Sequence, residues 1–199
     1  MRLEACSTEV FALTRDAAHR WGPISPRTRI KVRLTEPQLH WEGSAYVDSN
    51  EGDEAIDRGF ASWDWSRAHL PDGSTAVLYE PRPRSGPTDP RDSDHHHARA
   101  GDLLALRFRN GSAASRFIPG KRQALGRSAW RIPMHTYQEG EEPARLKSRL
   151  EDTPFYARSV LQCRMLGHQV EAMHETLDAR RFARSWVQQL LPWKMPRSG

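Results

Sequence analysis

Apolar and polar positions alternate in short runs along most of this chain, and few stretches carry the 3.6-residue period of an amphipathic helix. In the first half, residues 9–14 (EVFALT), 28–34 (TRIKVRL), 39–47 (LHWEGSAYV), 60–66 (FASWDWS) and 74–80 (STAVLYE) read as strands. Turn formers separate them: Gly22-Pro23, Glu36-Pro37, the run from Asn50 to Asp53, and Pro71-Asp72-Gly73. Residues 81–100 (PRPRSGPTDPRDSDHHHARA) have no apolar anchor and predict a long exposed loop. Strands resume at 103–109, 128–135, 155–164 and 170–177. One helix is expected, over 179–191, with Asp178 capping its amino end and Pro192 stopping the chain soon after. Many short strands at this spacing predict an all-β fold, an antiparallel sandwich or barrel of the kind that encloses an apolar ligand cavity. Residues 1–177 form its β region and 178–199 the carboxy-terminal helix and tail.

Composition changes this picture in one respect. A hydrophobic fraction of 37% with a mean hydropathy of -0.77 is low for a globular domain, yet seven Trp, six Phe and four Tyr argue against disorder. The apolar content sits in large rings. The net charge of +5 suits an anionic partner, but the arginines are scattered, without a stripe or a basic motif, so nucleic acid is not expected and an anionic membrane surface is the better partner. Cys6 and Cys163 form no CxxC and no metal spacing, which fits a reducing, cytoplasmic compartment. The start, MRLEACSTEVFALTRD, lacks the apolar run of a signal peptide, and no stretch approaches the ~20 apolar residues of a spanning helix. A soluble or peripheral protein is expected.

The chemistry concentrates between His40 and Tyr79, where three tryptophans and two tyrosines accompany a Tyr46-x-Asp48 pair. Strand side chains have a period of two, so Tyr46 and Asp48 share a face, and a carboxyl beside an aromatic wall can serve as an acid. His19-x-Trp21 has the same spacing upstream. Each residue also has an ordinary use. Asp48 beside an Asn/Gly turn can be a turn former, and His19 can be a loop histidine stacked on an indole. Trp41, Trp63 and Trp65 are pocket wall or plain core, with Trp63 and Trp65 on one strand face and Asp64, on the other, placed to pair with Arg67. Asp94 with His95, His96 and His97 looks like a metal site, but three consecutive histidines cannot all face one ion, and a solvated loop is the expectation. His174-Glu175 lacks the second histidine of a zinc helix and reads as structural.

Two blocks, GSAYVDSNEGDEAIDRGFASWDWSRAHLPDGSTAVLYEPRPRSG and EDTPFYARSVL with VEAMHETLDARRFARSWVQQLLPWKMPR, resemble the carotenoid 1,2-hydratase (hydroxyneurosporene synthase) family. The resemblance implies a lipocalin-like β fold and cofactor-free addition of water across the terminal C1=C2 bond of acyclic carotenoids such as neurosporene and lycopene. It ties activity to a His-x-Trp and a Tyr-x-Asp pair, here His19, Trp21, Tyr46 and Asp48. Family members carry a substantial segment before the first pair, where only 18 residues stand here, so an amino-terminally short member with a barrel incomplete at that end is expected.

Hydrating a trisubstituted alkene requires a proton donor, a partner for the tertiary carbocation and a group that handles water. Burial would keep Asp48 protonated for the first task. The Trp21 π face suits the cation, His19 the proton of the incoming water, and Tyr46 the orientation of that water or of Asp48. Trp41, Trp63 and Trp65 would line the hydrocarbon pocket, with no metal and no cofactor. A carrier of an apolar ligand, a pericyclase-like relative and an inactive fragment are the alternatives. At the other end Phe182, Trp186 and Leu190 form an apolar stripe at helical spacing, flanked by Arg180, Arg181, Arg184, Lys194 and Arg197. This segment is expected either to touch a membrane or to pack on the barrel.

Overall fold

The computed structural model describes residues 7–84, 102–109 and 112–192. In chain order its elements are β1 (Phe11–Ala12), β2 (His19–Leu34), β3 (Leu39–Gly52), α1 (Ile56–Gly59), β4 (Phe60–His69), β5 (Thr75–Pro83), β6 (Leu104–Phe108), β7 (Ser115–Arg116), β8 (Lys121–Arg127), β9 (Pro133–Gln138), β10 (Arg145–Asp152), β11 (Tyr156–Met165), β12 (His168–Asp178), α2 (Ala179–Phe182) and α3 (Ser185–Leu190). All pairings are antiparallel. A seven-stranded sheet has the order β10-β11-β12-β4-β5-β6-β7, a three-stranded sheet is β1-β2-β3, and β8-β9 is a separate hairpin. The all-β, lipocalin-like expectation holds, and among the described residues the barrel is not closed.

The seven-stranded sheet is buried on both faces at its centre. On one face Trp21, Phe60, Trp65, Tyr79 and Phe108 form the main apolar cluster. Beyond it a second cluster gathers Leu70, Leu78, Leu161 and Met165. Opposite Trp65, along β4, lies a polar knot. Asp64 accepts from Thr176 Oγ1 at 2.5 Å and from the His135 backbone N–H at 3.3 Å, and it pairs with Arg82. Ser66 Oγ stands 2.8 Å from His174 Nδ1. Burial by itself would raise the Asp64 pKa, but His135, Arg82, His174 and Thr176 together hold it below its ordinary value. Burial drives His174 down to about 4, so its ring is neutral. These groups are sealed from solvent, which makes the Ser–His–Asp grouping a structural device. Asp64 therefore pairs with Arg82, on the neighbouring strand β5, and not with Arg67.

Several expectations are corrected. Gly22-Pro23 lies inside β2, because irregularities between Gly22 and Ser25 and between Ser25 and Thr28 let Pro23 and Pro26 sit in a strand without breaking it. The run after Asn50 continues β3 to Gly52, which pairs with His19. Residues 81–83 of the expected loop belong to β5, and the rest of that loop from residue 85, with His95, His96 and His97, lies outside the described residues. The strand expected at 128–135 begins only at Pro133, because Arg131, at φ 64°, turns the chain just before it. The single helix is two: Asp178 caps α2 through Arg181 N at 3.0 Å, but Arg184 is extended (φ -72°, ψ 133°) and starts α3 afresh. Phe182 packs on Phe155 at 5.0 Å and Val187 is buried, so the segment anchors to the β body.

Candidate active site

A cavity of about 300 Å³ lies between the two larger sheets. β3 presents Tyr46, Asp48 and Asn50 to it, alternate residues of one strand face. From across the gap β4 presents Trp63, Trp65 and Arg67, while β5 gives Tyr79, β11 Arg158 and β12 Met173 and Glu175. The Tyr79 hydroxyl bridges the sheets, donating to Asn50 Oδ1 at 3.4 Å.

Asp48 is the carboxyl group of the β3 wall. Its Oδ2 accepts a hydrogen bond from Trp21 Nε1 at 2.8 Å. Trp21 has no exposed surface: its ring packs against Phe11 at 5.5 Å and edge-on against Tyr79 at 5.6 Å. The indole thus offers the site its nitrogen, and its π face is spent on the core. The π face expected to meet a cation is turned into the core, and what Trp21 presents to Asp48 is its N–H.

Tyr46 packs on Trp65 at 5.5 Å, and the Arg67 guanidinium lies 4.9 Å from the centre of its ring. Its hydroxyl is buried without a hydrogen-bond partner among the described residues. Burial, then the Asp48 charge, push the phenol pKa upward, so it remains a donor. Burial also pushes the Arg67 guanidinium pKa down, opposed by Tyr46, Asp48 and Glu175.

His19 does not line the cavity. Its ring tilts against Phe60 at 4.7 Å and fills a slot so tight that a Cβ at Gly59 would stand 2.4 Å from Cδ2 and one at Gly52 2.8 Å from Nδ1. Glu54 lies 3.6 Å from Nε2. A water-handling role for His19 is therefore not supported by its position. Trp41 is also outside the cavity, 45% exposed on the outer part of the β2–β3 hairpin opposite Val32. Trp63 and Trp65 line the cavity.

Sequence reasoning missed Asn50, Arg67, Tyr79, Arg158, Met173 and Glu175. The sequence presents His174-Glu175 as one structural unit, but neighbouring strand residues face opposite ways. His174 enters the buried polar knot and Glu175 the cavity. The signal available was phase: with Trp63 and Trp65 inward, residues of β12 in step with them are inward too. Among the described residues no group of three His, Cys, Asp or Glu side chains is placed to hold a metal ion.

Fold and cavity together define an antiparallel β protein with a carboxyl group set among aromatic walls between two sheets. The chain belongs to the carotenoid hydratase (CrtC) family, whose model matches residues 1–199. It is similar to the acyclic carotenoid 1,2-hydratase of Rubrivivax gelatinosus, 44% identical over 188 residues that cover 94% of this chain and 43% of that protein. The acyclic carotenoid 1,2-hydratase of Thiocapsa roseopersicina is 40% identical over 196 residues, 98% of this chain and 45% of the relative. That of Cereibacter sphaeroides is 31% identical over 183 residues, 92% and 60% of the two chains. The chain spans less than half the length of the first two relatives. No solved structure matches it.

Proposed function

We propose that the chain is a hydratase of acyclic carotenoids, adding water across the terminal C1=C2 bond of a substrate such as neurosporene or lycopene in carotenoid biosynthesis. The observation that carries this reading is the Asp48 carboxyl, held by the Trp21 N–H on the wall of an aromatic cavity. Asp48 delivers a proton to the less substituted alkene carbon, and the tertiary cation forms at its neighbour. Tyr46, Trp63 and Trp65 face that cation with π surface. The Trp21 N–H holds the carboxylate that Asp48 becomes, through a charge-assisted hydrogen bond. Water closes the sequence, and no redox equivalent or nucleotide is consumed. A cavity of about 300 Å³ is at the lower end for a ligand site, so it receives the end of the polyene while the rest extends outside.

A substrate of this kind resides in a bilayer, and we place the protein at the membrane surface on the cytoplasmic side. Two half-exposed rings support a contact there: Trp130 and Trp186 lie 6.3 Å apart, with Arg181 beside them. Among the described residues no helix is long and apolar enough to cross a membrane. Trp193, Lys194 and Arg197 lie outside the described residues.

Incubation with lycopene in detergent and a chelator tests the reaction. The expected product is heavier by one water, and Asp48→Asn lowers its formation by about 10²–10⁴-fold, the usual worth of a general acid. An unchanged polyene would make the protein a carrier, a ring of unchanged mass would make it a cyclase, and strict dependence on an added metal would end the acid mechanism.

A further inference from the structure

Capture of a tertiary cation by water leaves a protonated alcohol, and some group must take its extra proton. His19 lies outside the cavity wall, so the acceptor must be sought elsewhere. Glu175 lines the same cavity as Asp48 but comes from the other sheet, β12 against β3. Four cross-strand partners form a single rung there: Arg158 pairs with Glu175, Glu175 with Trp65, and Trp65 with Tyr79. All four side chains line the cavity. Arg158 Nε donates to Glu175 Oε1 at 2.9 Å and fixes the carboxylate in place. On the cross-strand partner of Glu175, Trp65 Nε1 is buried with no hydrogen-bond partner among the described residues.

Buried donors normally have partners, because leaving one unpaired costs about 1–3 kcal/mol. An open N–H on the cross-strand neighbour of a fixed carboxylate matches a small molecule that accepts a hydrogen bond through oxygen and gives one to an anion. Water has that pattern. The two carboxyl groups of the cavity are also partnered differently, Glu175 by a guanidinium and Asp48 by a neutral indole N–H.

We infer that Glu175 accepts the proton of the attacking water, which the Trp65 N–H holds in place. The inference rests on the hydratase reading of this cavity. The alkene π pair takes the Asp48 proton and forms a C–H bond. A lone pair of the water oxygen then forms the C–O bond, and the surplus O–H proton passes to Glu175. The substrate gains the elements of water, Asp48 is left as carboxylate and Glu175 as acid, and solvent at the rim resets both, where the Glu175 side chain is 25% exposed. An ion-paired carboxylate is basic enough, since a protonated alcohol is a far stronger acid than any carboxylic acid.

The test uses the full chain with lycopene in detergent, comparing wild type, Glu175→Gln and Glu175→Ala. Hydration is expected to fall about 10²-fold or more in both variants, with Glu175→Gln unfolding thermally close to wild type. Azide carries its own negative charge and needs no base, so azide added to Glu175→Ala is expected to give the tertiary azide, heavier than lycopene by hydrazoic acid. The Asp48→Asn/Glu175→Ala double variant should give none, because no cation forms. Retention of more than a tenth of wild-type hydration by Glu175→Gln would overturn the assignment. So would a Glu175→Ala protein that yields neither alcohol nor azide. A wild-type chain that adds no water to lycopene refutes the hydratase reading itself, a result distinct from either of these.

Discussion

Trp21→Phe separates the two jobs an indole can do at this site. The phenyl ring keeps most of the packing against Phe11, Tyr79 and Phe108 but has no N–H for Asp48. A hydrogen bond to a charged group is worth about 1.5–3 kcal/mol, and at 2.8 Å the Trp21–Asp48 bond has good length. Asp48 gains its negative charge as it gives up the proton, so the bond acts mainly on the transition state and the loss converts to a ~10–100-fold fall in turnover. Product formation from lycopene measures that fall. A thermodynamic cycle in urea adds an independent reading of the resting state: Trp21→Phe, Asp48→Ala and the double variant should show a coupling of about 0.5–1.5 kcal/mol. Turnover within twofold of wild type, or a coupling near zero, would mean that Trp21 serves only as core and that Asp48 is positioned by other groups.

Three further outcomes are expected. His174 is pushed down to about 4 by burial, so between that value and its ordinary 6.5 the unfolded chain binds a proton that the folded chain refuses; its stabilisation is complete above pH 6.5 and fades as pH falls toward 4, by about 3 kcal/mol in all. Asp64, held below its ordinary value, acts in the same direction at lower pH, and His69, also near 4, shares the window. Thermal melting against pH should therefore slope downward through this range, less steeply in His174→Gln, and a slope unchanged by that substitution would show that His174 is not the titrating group. Gly59→Ala should destabilise the fold by about 1–3 kcal/mol through collision with the His19 ring, and His19→Ala in the same chain should recover part of it. An additive loss in the double variant would show that the ring and Gly59 do not compete for space. At the membrane, the protein is expected to sediment with anionic liposomes and to release at high salt, and replacing Trp130 and Trp186 with Ser should abolish it; binding unaffected by that pair would move the contact elsewhere on the molecule.

What could be read in advance was decided by locality. β4 and β5 announce themselves because their apolar residues alternate or run together between clear turns, and Tyr46 and Asp48 fall on one face because the strand period is two. β8 and β10 are charged and largely exposed, so no apolar alternation marks them. Periodicity reports a face and not a depth. It put His19 and Trp21 on the same side correctly, but could not tell that Trp21 lies beneath Asp48 or that His19 is wedged between two glycines. Glu175 faces the cavity because β12 pairs with β4, two strands more than a hundred residues apart, and that register is written in no local stretch of sequence. The helix expected over 179–191 failed for a similar reason: its composition is helical, but Phe182 packs on Phe155, Val187 is buried, and the chain is extended at Arg184 between them.

Arg158, Glu175, Trp65 and Tyr79 occupy one rung, so their mutual spacing is a backbone quantity, about 4.8 Å per strand and ~14 Å from first to last. It works as a fixed ruler that side-chain exchange does not stretch. Asp48 belongs to another sheet, and its distance to the ruler depends on how thickly the two sheets are packed. Reach and chemistry are therefore governed by separate sets of positions. Bulkier or slimmer residues between the sheets would open or close the jaws to a thicker or thinner alkene end, while the members of the rung keep their order and interval.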